Sequence, residues 1–585
     1  MTSLTIVFCV IIFLMLALHF KWFQVEISFM ISILLLLITN VLSIKEVLSG
    51  FSNETLIIIL LLVSIGEILR KSDLLERVFD VFFKRAKTQK GFLARMLIIV
   101  GSSSAFLNNT PIVALMMPYT SIWAKRHQIS SSKLLIPLSY IAILGGTCTL
   151  IGSSTNLMIN SLISEHKPSL PLLNIFDFAL IGGIMLFLGG MYIILFSKKL
   201  LPSNKEPIEL DSAHVLDYLV EARVSKESDF IGSNIAQAGL RNLNDLYLVK
   251  IIRGQKEFTS VASTFILEAN DTVVFAGETS RIANLVNNRN LELFKERKNV
   301  FKPSELVEIV IAHHSKLEGN TVKEIRFRNK FDAAIIAIRR GNKKLSGKIG
   351  RIKLQQGDVL LLLSGDDFEN RAKQTSDFYL VSKRWKHSIL SRFSSIFILF
   401  GTLVAIVLSA FGLVKLLTSL LILFTLILIF KLVDKKEVYH SIDLKLGVII
   451  AMALALGKAM QNSGLSEEIA LTLIHISESF GKLGLLVILF SISSLLSSYV
   501  TSKAAIAIMI PVGISLASTT SFELVPLVLT IAFASGANFI TPHGYQTNLM
   551  VFQSGNYTYK DFMRIGLPLT ILYMCVTVFC IHYIY

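Results

Sequence analysis

The sequence predicts an all-α polytopic membrane protein with inverted repeats and re-entrant hairpins, interrupted by an inserted soluble α/β module. Three observations predict it. Of 585 residues, 53% are hydrophobic and 17% charged, a balance unusual for a water-soluble chain. Apolar stretches at 4–18, 27–42, 176–196 and 396–430 approach or exceed the roughly 20 residues that cross a bilayer, and the last is long enough for two spans joined near Gly412. One polar loop motif also occurs twice, once in each apolar half.

Apolar spans fill 1–200 and 389–585, and between them lies a mixed, charged segment. The first span is read as a retained helix rather than a cleaved leader, because a second span follows Lys21 with no small-residue cleavage site between them. The net charge of +16 is assigned to Lys and Arg in cytoplasmic loops, and no nucleic-acid partner is expected. Cys9, Cys575 and Cys580 lie in apolar spans and Cys148 in a loop, with neither disulfide nor metal-ligand spacing. The sequence contains no phosphate loop, nucleophile motif or metal cluster, so an enzyme is not expected and no cofactor is called for.

The repeated motif reads Thr149-x-x-Gly152-x-x-Thr155-Asn156 and Thr541-x-x-Gly544-x-x-Thr547-Asn548, an offset of 392. Met117-Pro118 and Ile510-Pro511 keep an offset of 393, and Gly66-Glu67 and Gly457-Lys458 one of 391. Duplication around a central site is a common plan of secondary transporters, and an odd number of crossings per unit inverts the second copy. The insert is duplicated as well, 219–277 paralleling 306–365. Each unit is expected to hold a helix-like stretch (233–240, 321–326), then a strand pair with an exposed turn at Arg253-Gly254-Gln255 or Arg340-Gly341-Asn342. A later apolar strand follows Asp271 or Asp358.

Unpaired backbone groups are costly in a bilayer, so a broken helix there marks a candidate site. Asn108-Asn109-Thr110-Pro111 breaks the apolar run 96–117, with Thr110 suited to the N-cap and Pro111 to the first helical position. A helix N-terminus suits an anion, while Asn oxygens and nearby carbonyls suit a hard cation. The matching tip reads Thr501-Ser502-Lys503. Lys503 admits three readings: its ammonium replaces a bound cation, it contacts an anionic substrate, or it snorkels to an aqueous loop. The loops supply Ser153, Thr155, Asn156, Thr547 and Asn548 as substrate-binding candidates, with Thr155 and Thr547 suited to cap the helices that follow. Neither loop contains a carboxylate, which favours an anionic cargo flanked by small cations. Glu67 is either a proton or cation ligand or a span-end residue beside Arg70. The basic stretches 70–90 and 125–133 read as cytoplasmic or interfacial faces, with Leu74, Leu75, Val78 and Phe79 as an amphipathic stripe.

With these residues in view, the chain resembles the divalent anion sodium symporters of the ion transporter superfamily, which also contains sodium-proton antiporters and arsenite permeases. The resemblance covers both membrane halves. It implies re-entrant hairpins tipped by Ser-Asn-Thr, matched closely by Asn108-Asn109-Thr110 and departed from by Thr501-Ser502-Lys503. It implies sodium as coupling ion, with Asn108, Asn109, Gly152 and Gly544 near it, and Asn108 to Thr110 and Thr501 to Lys503 also near substrate. It further implies a homodimer, elevator-like motion, and a multi-pass protein of a bacterial inner membrane with a cytoplasmic insert. The loops look most like the branch associated with sulfate. The insert, at 214–288 and 305–381, looks like two tandem domains of the TrkA-C type, the C-terminal ligand-binding domain of potassium-transport regulators, which implies a small regulatory ligand. A cation-proton antiporter using Glu67, and a transporter-like anion sensor, are the competing readings.

Overall fold

The computed structural model describes the chain outside residues 1, 21, 71, 73–78, 80, 167–172, 205–218, 241–245, 255, 260, 262–263, 278–289, 294–305, 313–314, 341–342, 346–348, 366, 374, 376, 381–389 and 521. The expectations for Leu74, Leu75, Val78, Gln255, Gly341, Asn342 and the outer limits of both insert units fall outside the described residues.

The first half holds α1 (Ser3–His19), α2 (Val25–Ile38), α3 (Glu54–Arg70), α4 (Gln89–Ser104), α5 (Asn109–Arg126), α6 (Leu135–Gly146), α7 (Ser154–His166) and α8 (Ala179–Leu200). The second holds α9 (Arg392–Ala410), α10 (Leu416–Ile429), α11 (Leu444–Asn462), α12 (Leu465–Ser477), α13 (Gly481–Tyr499), α14 (Ser502–Thr519), α15 (Leu524–Gly536), α16 (Gln546–Ser554) and α17 (Tyr559–Ile584). Gly412, at φ +70°, closes α9 and turns the chain into α10, as the long apolar run predicted. Helices α8, α9 and α17 are each long and apolar enough to cross a membrane. They present Phe187, Phe400 and Phe579 outward, each more than half exposed, which in a bilayer is lipid contact rather than an aggregation hazard.

The halves interlock through their hairpins. α4 and α5 form the first hairpin, and α5 packs against α16 of the other half; α13 and α14 form the second, and α14 packs against α7. The second arm of each hairpin therefore lies against the helix that follows the opposite half's loop motif.

Between the halves lie two five-stranded antiparallel sheets. The first comprises β1 (Leu219–Val224), β2 (Leu246–Arg253), β3 (Lys256–Thr259), β4 (Thr272–Gly277) and β5 (Leu291–Leu293), in the order β3-β2-β4-β1-β5. The second comprises β6 (Leu306–Ile311), β7 (Ala333–Arg340), β8 (Lys343–Leu345), β9 (Val359–Ser364) and β10 (Phe378–Leu380), in the order β10-β6-β9-β7-β8, the same order read from the other edge. Alternation along the strands buries Ala222, Val224, Val273 and Phe275 in the first core, and Val307, Ile309, Ile311, Leu360 and Leu362 in the second. The expected helix-like stretches differ from expectation: 233–240 and 321–326 are turns. Each begins at an isolated bridge, Asn234 to Ile266 and Thr321 to Lys353, and runs too short to propagate as a helix once it is pinned there. A short helix follows at Phe327–Phe331 in the second unit.

Candidate functional site

The two loop motifs are held by one pattern of hydrogen bonds, used twice. In the first, the Gly152 amide donates to Thr149 Oγ1 at 3.1 Å and Asn156 Nδ2 to the Thr149 carbonyl at 3.1 Å, while Thr149 Oγ1 donates to the Ala105 carbonyl at the hairpin tip. In the second, Gly544 donates to Thr541 Oγ1 at 3.2 Å, Asn548 Nδ2 to the Thr541 carbonyl at 3.3 Å, and Thr541 Oγ1 to the Ser498 carbonyl at 3.0 Å. The threonine spaces the loop from the hairpin, and the asparagine ties the loop's start to the helix after it.

The caps depart from expectation. Asn108, not Thr110, is the N-cap of α5, its Oδ1 accepting the Thr110 amide at 3.3 Å, so Pro111 lies inside the first turn where its missing N–H costs nothing. Ser153 Oγ accepts the Thr155 amide at 3.3 Å, so Ser153 rather than Thr155 serves the start of α7. Tyr545 stands at the N-cap of α16, and Thr547 lies one residue into the helix with its hydroxyl 2.7 Å from Ser139 Oγ. Both threonines are already inside their helices, where they cannot cap. Thr501 caps α14, accepting the Ala504 amide at 3.2 Å.

A cavity of about 850 Å³ opens between the halves. Of the sequence candidates it brings together Asn108, Thr110, Thr155, Thr501, Ser502, Lys503 and Gly544. Asn109, Gly152, Ser153, Asn156, Thr547 and Asn548 stand behind this wall; of these, Asn109, Ser153, Asn156, Thr547 and Asn548 are buried and hydrogen-bonded. The starts of α5, α7, α14 and α16 all reach the cavity, through Asn108 and Thr110, Ser154 and Thr155, Ser502 and Lys503, and Tyr545 and Gln546. Four helix N-termini bring partial positive charge to one space and Lys503 adds an ammonium, while Asp443 and Glu318 line the same space as acids. Asp443 and Glu26 are the acids whose fields reach Lys503, and Glu26 Oε1 also meets Lys445 Nζ at 3.0 Å. Glu67 is on α3 and does not line the cavity.

The halves are joined across the cavity by residues the sequence reading missed. Asn109 Nδ2 donates to the Tyr545 hydroxyl at 2.9 Å, and Thr110 Oγ1 to Gln546 Oε1 at 3.1 Å. Both partners, Tyr545 and Gln546, are the variable residues inside the second motif, between Gly544 and Thr547, where the first motif has Ser153 and Ser154. The turn between α1 and α2 contributes Trp22, Phe23 and Gln24, and the second insert unit contributes Glu318, Gly319 and Gln356. No local pattern marks those residues, because the fold alone brings them there.

The second insert unit is docked rather than tethered. Val310 and Val359 belong to the same apolar cluster as the membrane helices, and Arg339 Nη2 donates to the Gln553 carbonyl of α16 at 2.6 Å. Burial pushes the Arg339 guanidinium down to about 10, against the opposing pull of Glu308.

Comparison with known proteins bears on this site. The citrate transporter family profile matches residues 11–480 and again 402–585. A Chlamydomonas reinhardtii protein named as a candidate sulfur deprivation response regulator is 30% identical over 564 residues, covering 94% of this chain and 96% of its own. An uncharacterized transporter of Synechocystis is 28% identical over 600 residues, covering all of this chain and 97% of its own. Sodium/sulfate cotransporter 2 of Chlamydomonas reinhardtii is 30% identical over 385 residues, 62% of this chain and 43% of its own.

Proposed function

Because this chain belongs to the citrate transporter family, we propose that it is a secondary active transporter of a small divalent anion, sulfate first, with related oxyanions and dicarboxylates next. The observation that carries this is the convergence of four helix N-termini and Lys503 on one cavity between the halves, lined by hydroxyls and amides. A relative named as a sodium/sulfate cotransporter supports sulfate as cargo and sodium as the coupling ion.

The first loop fits a sodium ion. A Cβ on Gly152 would lie 2.7 Å from the carbonyl oxygens of Gly146 and Ser104 and 3.0 Å from that of Ala105, so these oxygens converge where the glycine leaves room. Asn109 Oδ1 beside them is buried and accepts no hydrogen bond. Such a set of hard, neutral oxygens suits a monovalent or divalent hard cation. Of the four residues expected near sodium, Asn109 and Gly152 are the two whose surroundings support this reading. Asn108 Oδ1 is engaged in capping, and Gly544 belongs to the other loop.

The hairpins and loops would move together as the carrying unit of an elevator, in a homodimer of the inner membrane, with the halves inverted and the insert cytoplasmic. In that reading the insert is a TrkA-C-type regulatory module. The second unit's place at the cavity mouth, through Glu318 and Gln356, supports a role in controlling access from that side. Uptake of labelled sulfate, succinate and citrate into proteoliposomes tests the whole reading. Sulfate uptake driven by an inward sodium gradient is expected, and no uptake of any anion would sink it. The relative named as a sulfur deprivation regulator raises a second reading, a transporter-like sensor, which that negative result would favour.

A further inference from the structure

The two loops share a frame but not an interior. Gly146 and Asn538 stand three residues ahead of the two motifs, at the offset of 392 that relates Thr149 to Thr541, and Asn109 and Ser502 occupy the same position in the two hairpins, at the offset of 393. Thus the first half places its amide side chain on the hairpin and a glycine in the loop. The second half reverses this, with a serine on the hairpin and the amide in the loop.

The consequence is chemical. Around Gly152, carbonyl oxygens gather and Asn109 Oδ1 has no donor. Over Gly544 the nearest atom to an added Cβ is Asn538 Oδ1 at 2.6 Å, so a side chain already fills the space. Asn538 is fully buried, and its Nδ2 lies 2.9 Å from Ser497 Oγ, 2.8 Å from Ser502 Oγ and 2.8 Å from the Ser535 carbonyl. A carbonyl can only accept, so the atom facing Ser535 is the nitrogen, which fixes the orientation of the amide. The Asn538 backbone carbonyl is itself taken by Asn548 Nδ2 at 2.6 Å. Asn538 Nδ2 shares its two hydrogens among Ser497 Oγ, Ser502 Oγ and the Ser535 carbonyl, and Asn538 Oδ1 accepts from Ser497 Oγ at 3.1 Å, so a cation entering the second half would meet N–H donors where the first half offers open oxygens.

We propose that the Asn538 amide permanently replaces a second coupling cation, so that this chain binds one sodium, in the first half. Because Asn538 does this work, Lys503 is not a cation surrogate. It lines the cavity at the start of α14 and is left to pair with the anionic cargo. This rests on the sodium-coupled reading above.

Equilibrium binding of radiolabelled sodium to the purified full-length chain tests it, with sulfate uptake into proteoliposomes measured in parallel. One equivalent per chain is expected in the unaltered protein, falling to none in Asn109→Ala. Asn538→Asp, which exchanges the donor for a carboxylate of the same shape, should raise the count to two. Two equivalents in the unaltered chain, none, or a soluble Asn538→Asp variant that stays at one would each overturn the proposal. If Asn538→Asp does not fold, the counts for the unaltered chain and Asn109→Ala still decide. Failure of the anion-transport reading is seen separately, as absence of sulfate uptake whatever the sodium count.

Discussion

The two insert units are alike wherever they face themselves and different where they face the membrane helices. At an offset of 87 they share strand order, register and a bulge at the same place on the second strand, between Leu248 and Lys250 and between Ile335 and Ala337. They share left-handed turns at Gly232 and Gly319 and at Asn270 and Gly357. They share one buried ion pair: Arg253 Nε to Asp271 Oδ1 and Arg340 Nε to Asp358 Oδ1, both at 2.8 Å, with both carboxylates fully buried. Hydrogen bonding to these carboxylates raises the pKa of each arginine above its ordinary value. The outer face has diverged. Val310, Val359 and Arg339 of the second unit stand where the first has Arg223, Thr272 and Ile252. Duplication preserved what each sheet needs to fold and left the exposed face free to become a docking surface in one copy only.

The largest effect should come from breaking that asymmetry. Val310→Glu places an unpaired carboxylate in the shared apolar cluster, at a cost on the order of 3 kcal/mol or more, and should release the second unit from α16. Increased protease cleavage of the insert and altered sulfate uptake are the readouts. Arg223→Glu, at the equivalent and exposed position, should change neither. A smaller effect should confirm the symmetry: Asp271→Ala and Asp358→Ala each remove three hydrogen bonds, two from the arginine and one from a backbone amide. Each should lower thermal stability by about 2–4 kcal/mol, and by similar amounts. A marked difference between the two would mean that docking, not the fold, sets the strength of the second pair.

Much of this was legible in the sequence because duplication writes itself twice. The membrane halves, the two tips, both Thr-x-x-Gly-x-x-Thr-Asn loops and both insert sheets follow from period and offset. What stayed hidden depends on distance in space. Nothing near Asn538 announces that its amide reaches Ser497 and Ser502, because these come from the two helices of the second hairpin. Thr110 looked like the cap because it directly precedes Pro111, but Asn108 stands one position ahead of the helix, where its Oδ1 accepts the Thr110 amide. Gln356 and Glu318 read as ordinary turn residues until the second sheet is laid against α16.

The smallest effect concerns Arg339, a polar contact of the docked face that reaches a helix of the site. Its Nη2 bonds the Gln553 carbonyl at the end of α16, the helix that begins with Gln546 and carries Thr547 and Asn548. Arg339→Met keeps the length and apolar stem of the side chain and removes one hydrogen bond. It also removes a charge whose burial is unfavourable, since the group's pKa falls to about 10. The two changes oppose each other, so docking should weaken by no more than about 1 kcal/mol. Because the folded pKa lies below the free value, protonation favours the undocked state, and the difference fades only as pH rises above about 10. Between neutral pH and that point the contribution is constant. A sulfate uptake rate in Arg339→Met that differs from the unaltered chain by less than a few-fold, with the same profile across neutral pH, would fit a docking face held by Val310 and Val359. A loss as large as that of Val310→Glu would instead make the Arg339–Gln553 bond the link through which the insert holds the end of α16.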